Sequence, residues 1–123
     1  MARGLETLLA VLTVGLSTGG PATADPLVRD FAVCAGRFSA LVEHQWLVDG
    51  PASEASARQR DSLVSLVEAA AGPEQASTVL AWRIDAKVSH KRLLERAWFA
   101  DDPLARMRSA QLLQACADLT GQS

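Results

Sequence analysis

PEQASTVLAWRIDAKVSHKRLLERAWFA, residues 73–100, decides the fold. After Pro73 this stretch contains no proline or glycine, and Val79, Trp82, Ala86, His90, Leu93 and Ala97 recur at steps of three or four. Such spacing lays one stripe along an α-helix, which turns once in about 3.6 residues; a half-buried strand would alternate at every second position. Pro73 suits a first helical turn, where its missing N–H costs nothing, and Glu74 complements the positive end of the helix dipole. At about 1.5 Å per residue this helix is expected to run near 40 Å.

The same punctuation recurs on both sides. Upstream, Gly72 closes a helix for which Ser53 is the expected cap, with Leu63, Leu66, Val67 and Ala70 facing inward. Before it, Asp25-Pro26 offers a cap and a first-turn proline to a helix whose apolar face runs Leu27, Phe31, Cys34, Phe38, Leu41 and Gln45/Trp46, stopping near Asp49-Gly50-Pro51. Downstream, Asp102-Pro103 opens a last helix carrying Leu104, Met107, Gln111, Ala115 and Leu119 before Gly121. The expectation is an all-α fold, a small antiparallel four-helix bundle in up-down-up-down order, because short connections favour antiparallel neighbours.

Residues 1–24 read differently. Arg3 gives a weakly positive start, Leu8 to Leu16 form a short apolar run, and Ala22-Thr23-Ala24 is the small-x-small pattern cut by a signal peptidase. Gly15, Ser17 and Gly19-Gly20-Pro21 interrupt the run well short of the roughly 20 apolar residues a membrane span needs. The expectation is a cleavable secretory signal, a single helical domain over 25–123, and a periplasmic location, with secretion as the alternative. Gly15-Leu16-Ser17-Thr18-Gly19 matches a hydrolase nucleophile elbow, but that motif works only between a strand and a helix of an α/β sheet, and here it ends the leader.

Without Glu6 and Arg3, 13 acidic and 11 basic residues remain. This near balance excludes the strong basic excess of a dedicated nucleic-acid binder. Cys34 and Cys116 are the only cysteines. In an exporting context they are expected to form one structural disulfide between the first and last helices, near the start of one and the end of the other. Their spacing is not that of a C-x-x-C redox pair.

His44 and His90 are the only histidines, and neither has a histidine or carboxylate three or four residues away, so no helical metal site is expected. C-x-x-C-H for covalent haem is absent, and no cofactor is expected. Each histidine is a weak ligand candidate, and His90 on its apolar stripe is expected to be a core or boundary residue. The basic residues of the third helix divide: Arg83, Lys87 and Lys91 share one flank, Arg92 and Arg96 project from nearly the opposite side, and a solvated surface is the expected reading, with contact to an acidic partner or lipid headgroups as the alternative. Trp98-Phe99 cannot both face one stripe; the last helix, folding back, is expected to cover both, the alternative being an exposed anchor for a partner.

With no catalytic motif in view, the first functional expectation is an exported helical protein acting by protein–protein interaction, as accessory subunit, inhibitor, immunity factor or chaperone. Its partner would be another periplasmic or envelope protein, and its contacts Arg83, Lys87, Lys91, Trp98 and Phe99. The alternative is a bundle binding a small ligand, metal or haem through His44 or His90. An enzyme around Arg37, Glu43 and His44 ranks third.

Overall fold

The computed structural model describes residues 24–121 together with Gly15. Except for Gly15 and Ala24, the expected leader lies outside the described residues. The chain forms α1 (Ala24–Val48), α2 (Gly50–Ala70), a short 3₁₀ turn (Pro73–Gln75), α3 (Ala76–Phe99) and α4 (Pro103–Leu119), with no strand among the described residues. The all-helical bundle expected from the periodicity is therefore the architecture.

Three of the four joints follow from side-chain chemistry. Between α1 and α2 only Asp49 intervenes, and its carboxylate caps α2 by accepting from the Ala52 N–H at 3.4 Å. Ser53, expected as that cap, lies one turn inside α2, where its hydroxyl donates to the Gly50 carbonyl. Asp49 takes the role because Pro51 already fits the first turn. Before α3, the Gln75 side chain accepts from the Gly72 N–H at 3.0 Å while the Gln75 N–H donates to the Gly72 carbonyl. At α4, Asp102 accepts from the N–H groups of Leu104 and Ala105 at 3.0 and 3.2 Å, as the Asp-Pro pair requires. Asp25 and Pro26 sit inside the first turn of α1, which begins at Ala24.

The helices alternate in direction, yet they do not form a square. α1 is the centre: α2 packs along one side of it, α3 runs parallel against another, and α4 rests mainly on α3. α1 and α3 approach closely at Gly36, whose lack of a side chain permits it. A Cβ there would collide with the Arg83 carbonyl oxygen and come within 2.9 Å of the Ala86 Cβ. Ala32, Ala35 and Ala40, all fully buried, keep the rest of α1 slim enough for neighbours on several sides.

The main core joins Val28, Phe31 and Phe38 of α1 to Leu63 and Val67 of α2 and Val79 of α3. The disulfide Cys34–Cys116, with its Cα atoms 5.5 Å apart, adds the end of α4 to it. A smaller cluster of Leu93, Ala97, Ala105 and Leu112 holds α3 to α4.

Several side chains read as inward are not. On α4 the buried stripe is Ala105, Ser109 and Cys116, with Leu112, Leu113 and Leu119 half-buried, whereas Leu104, Met107, Gln111 and Ala115 point to solvent. The disulfide fixes Cys116 inward, and small residues let α4 approach α3. Leu27, Trp46, Leu66 and Ala70 are likewise exposed, because α1 and α2 each meet the core over only part of the stripe their spacing defined. No helix among the described residues is long and apolar enough to cross a membrane.

Candidate functional site

Two places concentrate chemically capable side chains. The first is the end of the bundle where α1 and α3 finish. His44, buried on the last turns of α1, faces the aromatic pair of α3: its ring centroid lies 5.4 Å from that of Trp98 and 6.2 Å from that of Phe99. Burial lowers the His44 pKa, so the neutral ring is favoured, and its Nε2 has no hydrogen-bond partner.

Trp98 and Phe99 retain 52% and 67% of their surface, because α4 turns away at Asp101 and packs on the Leu93/Ala97 side of α3. The expectation that the last helix covers both is therefore corrected. Asp101 takes a positive φ of 51°, which aspartate tolerates better than most residues. Arg106 then reaches back, its guanidinium 5.4 Å from the Trp98 ring and donating to the Ala97 carbonyl at 3.1 Å. Leu47, Phe99 and His44 line one notch with Glu43, Lys91 and Glu95.

Of the basic flank, Lys87 is tied down: its Nζ lies 2.8 Å from Glu43 Oε1, joining α3 to α1. Arg83 is half-buried, its carbonyl under Gly36. Lys91 is exposed at the rim of the aromatic notch. The three thus meet three different surroundings.

The second place is a cleft of about 470 Å³ between α1, α3 and α4. Four arginines reach it from all three helices: Arg29 and Arg37, Arg96, and Arg108. Arg29 lies 5.8 Å from the Trp82 ring centroid, and Arg37 donates to Cys116 Sγ at 3.5 Å. His90, fully buried in the same wall, is 2.9 Å from the Ser109 hydroxyl through Nε2, while Nδ1 has no partner. In the sequence His90 stands out by its place on the apolar stripe, and Arg37 only beside Glu43 and His44. Convergence of four arginines from three helices leaves no mark in the order of residues, so the cleft itself was not foreseen.

Burial, reinforced by the positive charge of Arg37, pushes the His90 pKa down to about 4. His90 is therefore neutral in the folded protein at pH 7. Because the folded value lies below the ordinary 6.5, the stabilisation is complete above about pH 6.5 and is lost as pH falls toward 4, where the unfolded chain takes up a proton that the folded one refuses. The expected loss is roughly 2 to 3 kcal/mol. The charged groups around that cleft are Arg29 and Arg37 from α1, Asp85 and Arg96 from α3, and Arg108 from α4. Urea unfolding at pH 7 and pH 4.5 checks this: His90→Gln should flatten the pH dependence relative to wild type, whatever its own stability, and an unchanged slope refutes it.

The disulfide joins the two cysteines directly, so neither is a free thiol. Among the described residues no group of three His, Cys, Asp or Glu is placed to hold a metal ion. His44 and His90 lie in separate surroundings.

No protein-family model, curated protein or solved structure matches the chain.

Proposed function

We propose that the protein works in the periplasm by holding another exported protein through the aromatic end of its bundle. The observation carrying this reading is the exposure of Phe99 and Leu47, 67% and 77%, on either side of one notch, with Trp98 beside them. A soluble chain gains nothing from large apolar side chains displayed together at one end, whereas desolvated aromatic anchors dominate protein interfaces. Lys91 and Glu95 give the rim both signs of charge, the anatomy of a protein interface rather than of a surface for anionic lipid.

The occupant that fits is an apolar patch of a protein partner, as expected for an accessory subunit, inhibitor, immunity factor or chaperone. A disulfide is compatible with an extracytoplasmic site of action, and the leader-like residues 1–24 favour the periplasm.

The test is affinity isolation from the native periplasm with wild type and with a Trp98→Ala/Phe99→Ala variant, both checked for equal melting. A stoichiometric partner held by wild type and bound at least about tenfold more weakly by the variant supports the reading. A partner held equally by both moves the interface elsewhere. Sedimentation of the purified protein shows whether the partner is instead a second copy.

A further inference from the structure

We infer that the cleft between α1, α3 and α4 binds a small organic oxyanion, a molecule presenting a carboxylate or phosphate on an apolar body. Four guanidiniums reach this cavity against one lining carboxylate, Asp85. Among the described residues none of the four is within ion-pair distance of an acidic group, although Lys87, Arg60 and Arg106 each are. Scattered surface arginines are ordinary and need no ligand. These converge on one concavity from three helices, and two of them oppose each other. Arg37 is held below its usual range first by burial and then by the charge of Arg108, with Asp30 offsetting only in part. An anion between them would remove that repulsion.

His90 supplies a second, separate observation. It lines the same cleft, is 2% exposed, and its Nδ1 is a buried polar atom without a hydrogen-bond partner. If Ser109 donates its hydroxyl proton to Nε2, Nδ1 carries a neutral N–H donor just beneath the cleft surface, which a small shift of the ring would present to an oxyanion. Val33, Trp82, Leu93 and Leu112 line the remaining wall and suit an apolar body. A volume of about 470 Å³ falls in the range of small-molecule sites. Guanidinium forks recognise planar carboxylate and phosphate alike, so the chemistry is shared between the two. The cleft and the aromatic notch share no lining residue, so the site stands apart from the proposed interface.

Thermal melting of the disulfide-bonded protein tests this with four probes: phenyl phosphate, benzoate, inorganic phosphate, and sodium chloride at matched ionic strength. A saturable rise in melting temperature with phenyl phosphate or benzoate, larger than with chloride, is expected, and whichever aromatic anion acts at lower concentration identifies the headgroup. Arg108→Gln, at an exposed position, should raise the midpoint without ligand and weaken binding roughly tenfold or more, while Arg58→Gln, outside the cleft, should leave binding unchanged. A rise that chloride reproduces, a rise unchanged in Arg108→Gln, or no saturable rise with any probe overturns the inference.

Discussion

Reduction of the Cys34–Cys116 bridge is expected to lower the melting temperature by roughly 15 to 25 °C, as should Cys34→Ala/Cys116→Ala. The cysteines are 82 residues apart, and in the chain-entropy picture a ring of that size restricts the unfolded state by about 4.5 kcal/mol. Strain and residual structure in the unfolded chain reduce this, and about 3 kcal/mol would still be a large part of the stability of a domain this small. The native packing adds a reason of its own. α4 meets α1 sparsely apart from the bridge and rests on α3 through a small cluster containing two alanines. Alanine is the replacement of choice because both sulfurs are buried and serine would place hydroxyls in the core. Calorimetry with and without reductant measures the effect, and an unchanged melt would mean that packing alone seats α4.

Gly36→Ala should cost about 2 kcal/mol or more, although helix propensity alone predicts a gain near 1 kcal/mol. The clash decides the sign. The added methyl would meet the Arg83 carbonyl, part of the α3 backbone, which cannot rotate aside as the tip of a flexible side chain would. α1 and α3 would have to separate, loosening the interface that links the centre of the bundle to α3 and, through it, to α4. Gly50→Ala is the matched control, since an added methyl there has nothing within 4 Å, and it should change stability by less than about 0.5 kcal/mol. Urea unfolding of the pair measures both. Equal behaviour would mean that the crossing is looser than the geometry shows.

What could be read from the sequence follows a physical boundary. Helix existence was legible because it is local: Pro73, Asp102-Pro103, Gly72 and the steps of three and four each act within a turn or two. The disulfide was legible because a leader-like start and a single cysteine pair leave one expected pairing. The face of α4 was not. Leu104 and Met107 are larger and more apolar than Ala105 and Ser109, yet the inward side was set by the covalent anchor at Cys116 and by room beside α3. Exposure of Trp98 and Phe99 turned on the direction in which α4 departs after Asp101. The arginine cleft depends on helix rotation and neighbour choice together, so Arg37 and Arg108, 71 positions apart, share nothing visible before folding.

The bridge also changes what kind of object the chain is. Topologically it is a closed ring with two tails, since all of α2 and α3 lie between the joined cysteines. A protease cutting once at Gly72 or Asp101 would open the ring without releasing a fragment, and the nicked protein would separate into two pieces only under reductant. A pull on the two ends could draw out the segments before Cys34 and after Cys116, and nothing in between. Any machine that unravels proteins through a narrow pore would have to take this one as a doubled strand or break the sulfur link first.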